Sequence, residues 1–169
     1  MRAELKKLSP NDGVEVYNLL QEIPKDENGF INGAKGISFD DYKEWLIKCD
    51  NMANGVGLED WMVPQHIYWL YVDANPVGMG KLRTRLTDKL RLDGGHCGYG
   101  IASSQRRKGY GTLLVQMMAK EAITFELDKI LLTIHNDNIP SIKAAINSGG
   151  IIERVTDDKH YIWIECNTL

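Results

Sequence analysis

The chain has 169 residues, of which 43% are hydrophobic and 25% are charged, and its formal net charge is −3. This length and composition are typical of one globular domain with its own apolar core, and we expect residues 1–169 to form a single domain. A negative net charge argues against a nucleic-acid-binding protein, because such proteins present excess basic charge to the phosphates.

Cysteine use and hydropathy exclude further classes of protein. Cys49, Cys97 and Cys166 are widely spaced and form no CxxC pair, so we expect no disulfide framework and no metal site, and we expect the reducing cytoplasm as the location. No apolar run approaches the ~20 residues that span a bilayer, and the N-terminus lacks the apolar core of a signal peptide. We therefore expect no membrane association.

The N-terminal residues predict a strand followed by a helix. Residues 3–8 are a candidate first strand, and Ser9 with Pro10 has the order of an N-cap and a first helical residue. Apolar residues then recur at helical spacing, which predicts one buried stripe. The residues of this stripe are Val14, Tyr17, Leu20 and Ile23.

A second helix is predicted between two loops. Ser38 and Asp41 resemble a capping box, so we expect the helix to begin beside them. Its apolar residues share one face, and they are Phe39, Tyr42, Trp45, Leu46 and Cys49. The flanking residues 24–36 and 50–63 are irregular, and the first of these is rich in Gly, Asn and Asp, so we expect both to be loops.

Strand signals dominate after residue 65. Aromatic and β-branched residues predict a hairpin of residues 66–72 and 77–85. The later elements are, in chain order, a strand at 96–102, a helix after 112, a strand at 129–134, a helix at 140–147 and a hairpin of 151–155 with 160–164. The order β-α-α-β-β-β-α-β-α-β-β predicts an α/β (α+β) protein with a mixed sheet and helices on its faces. The strands on either side of the helix after residue 112 are expected to be parallel.

The segment QRRKGYGT, Gln105–Thr112, has the character of an anion cradle. Free N–H groups and the dipole at a helix start favour negative charge, and its three cations and two glycines suit a pyrophosphate. An ordinary basic surface turn is the alternative. The Walker pattern is absent, and Gly98-x-Gly100 lacks the helix and the acidic residue that a dinucleotide site requires.

Three motifs in register resemble the GNAT superfamily of acyl-CoA N-acyltransferases. Arg106–Gly111 has the form (R/Q)-x-x-G-x-(G/A) of its acetyl-CoA pyrophosphate loop. Asn138–Ser141, followed by Gly149-Gly150, resembles the N-x-x-(S/A)…G segment, and Asn75–Gly78 resembles the hairpin turn. Gly94–Gly111 is similar to a subgroup of bacterial acetyltransferases with GGH-x-GYGI…RRKGYG. The resemblance implies a GNAT-like fold, with a central mixed β-sheet flanked by helices.

The resemblance also implies acetyl-CoA, or CoA, as co-substrate. The strand before the loop would offer backbone amides to pantetheine, the loop would hold the pyrophosphate, and its cations would reach the 3′-phosphate. Two residues of the N-x-x-S motif would lie along the far side of the cofactor. The implied cofactor-binding residues are Tyr99, Gly100, Ile101, Arg106, Arg107, Lys108, Gly109, Tyr110, Gly111, Thr112, Asn138 and Ser141.

The implied reaction is direct transfer of acetyl to a primary amine, for which a general base is useful. The glutamate that many relatives place early in the strand is absent, so His96 is the first candidate base and His135 the second, since a pKa near 6.5 suits proton transfer. A structural role is the alternative for both, as is a base-free mechanism through water. Relatives often place a tyrosine acid where this chain has Ala145. Tyr99 is a candidate catalytic residue, Tyr110 is a second tyrosine in the region, and a structural role is the alternative for both.

The acceptor is expected to be a small-molecule or peptide amine, bound by the loops of a monomer or homodimer. Three loop carboxylates, Glu27, Glu59 and Asp60, could attract a cationic amine. The basic residues Lys81, Arg83, Arg85, Lys89 and Arg91 are interpreted as a solvated face. A non-catalytic CoA or acyl-CoA sensor is the alternative function, because the glutamate and the tyrosine are missing. An NAD-binding protein is a third hypothesis that depends on Gly98-x-Gly100 alone.

Overall fold

Two antiparallel sheets, a short ribbon and five α-helices make up residues 1–167, which the computed structural model describes. The strands are β1 (Ala3–Lys7), β2 (Asp26–Glu27), β3 (Phe30–Ile31), β4 (Gln65–Val72), β5 (Asn75–Arg83), β6 (Cys97–Ile101), β7 (Lys129–His135), β8 (Ile151–Val155) and β9 (Lys159–Glu165). The helices are α1 (Val14–Glu22), α2 (Phe39–Ala53), α3 (Asp88–Leu92), α4 (Tyr110–Ala122) and α5 (Ile139–Asn147).

The sheets meet between β6 and β7. The first sheet has the order β1-β4-β5-β6, the second has the order β7-β9-β8, and β2 with β3 forms a separate ribbon. The His96 N–H donates to the Leu131 carbonyl at 2.8 Å, which joins the sheets at one point. Beyond it the strands diverge, since a cleft is lined by both Tyr99 and Ile134. The predicted parallel pair is therefore not a hydrogen-bonded ladder within the described residues.

The first sheet is covered on both faces. Along β4, Tyr68, Leu70 and Val72 pack with α4 and the second sheet, whereas Ile67, Trp69 and Tyr71 pack with α1 and α2. A helix packs closely over β5, because a Cβ at Gly80 would lie 2.9 Å from the Met118 sulfur. Successive side chains of a strand point to opposite faces of the sheet. Because both faces of β4 are covered, residues 66–72 are apolar almost without interruption.

The first helix begins later than predicted. It starts at Val14, and Ser9 instead forms a turn in which its N–H donates to the Asp12 carboxylate at 2.8 Å. That carboxylate also accepts a 2.7 Å hydrogen bond from the buried Trp69 indole, so a tertiary contact holds the turn. Val14 is 56% exposed, and the buried residues of the helix are Val16, Leu19 and Leu20. The predicted stripe was therefore wrong at its first position.

Local capping signals were more reliable. The Ser38 hydroxyl accepts from the Asp41 N–H at 3.1 Å, which confirms the predicted start of α2. The predicted loop at 24–36 contains the ribbon, and the polar connection after β5 contains α3, which Thr87 caps. Among the helices of residues 1–167, none is both long enough and apolar enough to cross a membrane.

Candidate active site

Two adjoining depressions lie between the sheets. The first, the strand cleft, lies between β6 and β7 and is closed on one side by the ribbon. The second, the loop groove, lies between the loop before α4 and the start of α5. Tyr99, Asn138 and Ser141 line both, so the two form one continuous site.

One edge of β6 presents to this site backbone groups that do not pair with β5. At its ends, the Ala102 N–H donates to the Val77 carbonyl at 3.0 Å and the Arg83 N–H donates to the His96 carbonyl at 2.8 Å. The register between these bonds is regular, and antiparallel pairing alternates, so even-numbered residues pair with β5. The backbone groups of Tyr99 and Ile101 therefore point toward the opening.

The glycines of β6 have a packing role that the sequence did not reveal. A Cβ at Gly98 would lie 3.4 Å from the Phe30 ring, and one at Gly100 would lie 3.1 Å from it. The ribbon thus packs on the glycine face of the strand, while the Tyr99 side chain lies on the opposite face beside Gly111. Close approach does explain these glycines, but among the described residues it is Phe30, joined at Gly100 by Ile23 at 3.0 Å, that approaches.

The basic loop leads into the start of α4. Gly109 precedes α4 with φ +81°, a conformation that favours glycine, and no side chain caps the first N–H groups of the helix. The predicted residues Arg106, Arg107, Gly109, Tyr110, Gly111 and Thr112 line the groove. Lys108 is not among the lining residues, and its ammonium donates to the Gln105 side-chain carbonyl at 2.9 Å.

Arg106 has a partner that lies far away in the sequence. Its guanidinium makes two hydrogen bonds to the Glu27 carboxylate, of 3.0 and 2.6 Å, and its Nε donates to the Ile101 carbonyl at 3.2 Å. These contacts tie β2 to the loop. They also neutralise Glu27, which the sequence offered as an attractant for a cationic amine. Neither Glu59 nor Asp60 lines the cleft.

Tyr99 stands where the two depressions meet. Its hydroxyl donates to the Ser141 hydroxyl at 3.1 Å, and burial raises the pKa of the phenol. Asn138 is the N-cap residue of α5 and does not use its side chain to cap the helix. Ala145, at the position where relatives often carry tyrosine, is fully buried in the core. Tyr99 is therefore a phenol that lines both depressions, whereas Tyr110 lines the loop groove and is not among the residues that line the strand cleft.

His96 lies behind the cleft rather than in it. Its side chain is buried, its ring contacts Trp163 edge-on at 6.1 Å, and its Nδ1 accepts the Leu131 N–H at 2.9 Å. Because Nδ1 is an acceptor, the neutral ring carries its proton on Nε2 and has no free lone pair. Burial, together with nearby arginines, lowers the pKa of His96 to about 4. This geometry favours the structural alternative for His96.

His135 lies at the end of β7 and lines the strand cleft. Its Nδ1 is 3.3 Å from an Asp158 carboxylate oxygen, and the other oxygen of that carboxylate is 3.2 Å from the Lys159 ammonium. The Lys159 ammonium also forms an ion pair with a carboxylate oxygen of Asp93, at 3.1 Å. Hydrogen bonding from Lys159, ahead of that from His135, lowers the pKa of Asp158. With Nδ1–H directed at Asp158, Nε2 keeps a lone pair on the side of Gly29 in the ribbon turn.

Sequence comparison assigns this architecture to a family. The model of the family described as Acetyltransferase (GNAT) family matches residues 25–145, which include both the basic loop and the Asn138–Ser141 motif. The chain belongs to the GNAT acetyltransferase family. Membership makes it an acyltransferase, as its motifs predict, and agrees with the sheet and helix arrangement described above. No curated protein matches the chain in sequence.

Solved GNAT structures have the same fold. The acetyltransferase of the GNAT family from Streptococcus pneumoniae superposes with a TM-score of 0.64 at 13% identity, covering 97% of this chain and 99% of that one. Campylobacter jejuni PseH in complex with acetyl coenzyme A superposes with a TM-score of 0.59 at 13% sequence identity, covering 97% of this chain and 99% of PseH. A mutant of the Vibrio cholerae spermidine N-acetyltransferase SpeG superposes with a TM-score of 0.61 at 19% sequence identity, covering 97% of this chain and 94% of SpeG. The predicted co-substrate, acetyl-CoA, is thus the ligand of one GNAT protein with this fold.

Proposed function

We propose that this protein transfers the acetyl group of acetyl-CoA directly to the primary amine of a small molecule or peptide. One observation carries the proposal: the free edge of β6 adjoins the uncapped start of α4 across a cleft between two sheets. The exposed amides of Tyr99 and Ile101 suit the amide-bearing pantetheine arm. The amides and cations of the loop suit a pyrophosphate.

Donor binding would depend on Arg107 more than on Arg106. Arg106 is engaged by Glu27, whereas Arg107 lines the loop groove and forms no ion pair within residues 1–167. The Arg107 backbone has φ +62°, so an uncommon conformation holds this side chain at the groove. A free guanidinium at an exposed amide cradle is a suitable ligand for a phosphate.

The chemistry would use His135 as base and Tyr99 as acid. Nε2 of His135 takes a proton from the ammonium form of the acceptor, and Asp158 stabilises the resulting imidazolium. The amine attacks the thioester carbonyl, forming the C–N bond as the C–S bond breaks. The Tyr99 N–H stabilises the negative charge on the carbonyl oxygen, and the Tyr99 hydroxyl protonates the leaving thiolate. The proton that the nitrogen loses as it becomes an amide restores the Tyr99 hydroxyl, so that the only net proton released is the one on His135. Ser141 orients that hydroxyl.

Calorimetry followed by turnover measurements tests the proposal. Acetyl-CoA should bind, and Arg107→Met should weaken binding about tenfold, which corresponds to about 1.4 kcal/mol. Arg85→Met is the matched control, because Arg85 is exposed and lies outside both depressions. Free thiol release should then accelerate when amines are added. Absence of binding at millimolar acetyl-CoA would refute the proposal.

A non-catalytic CoA sensor is the second candidate, favoured by Ala145 at the tyrosine position and by the structural contacts of His96. A sensor would bind CoA and acetyl-CoA with similar affinity and release no thiol with any amine. Turnover that disappears in a His135→Ala protein still able to bind acetyl-CoA would exclude this candidate.

A further inference from the structure

Among the residues that the structure describes, the negative charges of the strand cleft have ion-pair partners, but two of the positive charges do not. Both carboxylates that line the cleft are paired: Glu27 with Arg106, and Asp93 with Lys159. Two cations remain, Lys81 and Arg83, and neither forms an ion pair within residues 1–167. Unpaired cations in a partly buried wall are costly, because burial removes their hydration. A cleft with this arrangement is suited to receive an anion.

Backbone contacts hold both cationic groups at the wall. Lys81 and Arg83 are two residues apart on β5, so their side chains share one face. Nη1 of Arg83 donates to the carbonyls of Gly94 and Gly95, each at 3.1 Å, and its other donors have no partner among the described residues. The Lys81 ammonium donates to the Ile31 carbonyl.

Lys81 lines the strand cleft beside the ribbon. Its cross-strand partner is Gly98, on which the Phe30 ring packs, and its ammonium is 5.0 Å from the centre of that ring. Burial, together with the neighbouring Arg83, lowers the pKa of Lys81 to about 8. A bound anion would offset this loss of charge stabilisation.

The opposite wall has the complementary character. His135 lines this wall at the end of β7, and Asp158 lies behind it in contact with both His135 and Lys159, so that Nε2 of His135 can accept a hydrogen bond from an ammonium group. The cleft therefore has a site for an amine on one strand and a site for an anion on the other. A polyamine would place positive charge against Lys81 and Arg83, which is unfavourable.

We propose that the acceptor is an amine that also carries an anionic group, a carboxylate or a phosphate, and that Lys81 and Arg83 bind this group while the amine lies at His135. The inference rests on the proposed acetyl transfer and specifies its substrate class. It differs from the spermidine named for the Vibrio cholerae protein, because spermidine has no anionic group.

Pairs of acceptors with and without an anionic group test the inference with the unmodified enzyme, each compared at equal concentration of the unprotonated amine, because loss of the carboxylate also lowers the basicity of the amine. Phenylalanine is compared with phenylalaninamide, glucosamine 6-phosphate with glucosamine, and spermidine is included as a polycation. We expect kcat/KM to be at least tenfold higher for the anionic member of one pair, and the pair that responds distinguishes carboxylate from phosphate. The inference would be overturned if the amines without an anionic group, or spermidine, were turned over as fast as the anionic amines or faster. It would also be overturned if neither anionic amine were turned over.

Variants then assign the effect to the two side chains. Lys81→Met and Arg83→Met should raise KM for the anionic acceptor by about 10- to 100-fold, the range for a lost charge-assisted contact, and should reduce the preference over its neutral partner. Arg83→Lys keeps the charge if the methionine variant unfolds, and Arg85→Met is the control cation outside the cleft. A preference that survives both methionine variants contradicts the assignment.

The outcomes separate this inference from the function on which it rests. Acetyl-CoA binding by calorimetry and amine-stimulated thiol release report on the acetyltransferase itself. If both are present without a preference for anionic amines, only the acceptor inference fails. If acetyl-CoA does not bind, the proposed function fails as well.

Discussion

Replacing His96 or His135 with alanine should give opposite results, and the difference follows from their contacts. Removing the His96 ring leaves the buried Leu131 N–H without an acceptor, at a cost of about 1–3 kcal/mol, and removes an aromatic contact with Trp163 that contributes roughly 0.5–1.5 kcal/mol. The free energy of unfolding should fall by about 2–4 kcal/mol. For a chain of this length, Tm should fall by roughly 5–15 °C.

His135→Ala should instead reduce catalysis. Its ring is 34% exposed and contacts an exposed carboxylate, so its loss should change the unfolding free energy by less than about 1 kcal/mol. Loss of a general base should lower kcat by about 10²- to 10⁴-fold with little change in the Kd of acetyl-CoA. The folded fraction of His96→Ala should lose less than tenfold in kcat.

The assay pairs denaturant unfolding with steady-state thiol release at pH 8 for each variant. His96→Asn is a useful third protein, because its side-chain carbonyl can accept the Leu131 N–H and should recover part of the stability lost in His96→Ala. The reasoning would be refuted by a His96→Ala protein of unchanged Tm whose kcat has fallen a hundredfold. A His135→Ala protein with normal kcat would exclude His135 as the base.

Three further results are expected. Tyr99→Phe should lower kcat about 10- to 100-fold, the loss expected for a proton donor, while calorimetry finds the same acetyl-CoA affinity; an unchanged kcat would exclude the hydroxyl. Gly95→Ala should lower Tm far more than Gly57→Ala. Both residues have positive φ, but a Cβ at Gly95 would lie 2.4 Å from the Leu131 carbonyl oxygen, whereas a Cβ at Gly57 would meet nothing within 4 Å. Equal Tm values would contradict this difference in packing. Burial holds the pKa of His66 and of His96 at about 4, whereas an unfolded histidine has a pKa near 6.5, so the unfolded chain binds more protons below pH 6.5. The free energy of unfolding, measured by urea titration, should therefore decrease from pH 6.5 to 4. A flat profile would argue against this linkage.

The sequence predicted well those features that neighbouring residues determine. Ser38 caps the helix that follows it through an N–H only three residues away, and the loop before α4 takes its shape from the conformational freedom of Gly109. The loop groove depends on the same short segment, so most of the residues that line it on this side could be named from the motif alone. Most strands were predicted within two residues, because aromatic and β-branched runs are local signals.

Features set by distant contacts were missed or misplaced. The Asp12 carboxylate holds the turn before α1 through Trp69, 57 residues away, which is why a plausible N-cap at Ser9 does not start the helix. Glu27 and Arg106 are 79 residues apart, and the fold brings them into a bidentate pair. The spacing of residues along a chain contains no signal for pairs of this kind.

The sequence by itself determined the family and the fold class and singled out the basic loop as the candidate phosphate-binding segment, because motif and periodicity are properties of contiguous residues. Only the tertiary structure distinguished His96 from His135, since two histidines of equal intrinsic pKa differ here through their neighbours, a buried backbone N–H in one case and a carboxylate at the cleft in the other. Tertiary structure likewise placed Lys81 and Arg83 at the cleft, where the sequence suggested a solvated face. Charge pairing depends on distances of a few ångströms, and these are fixed only when the strands and the ribbon come together.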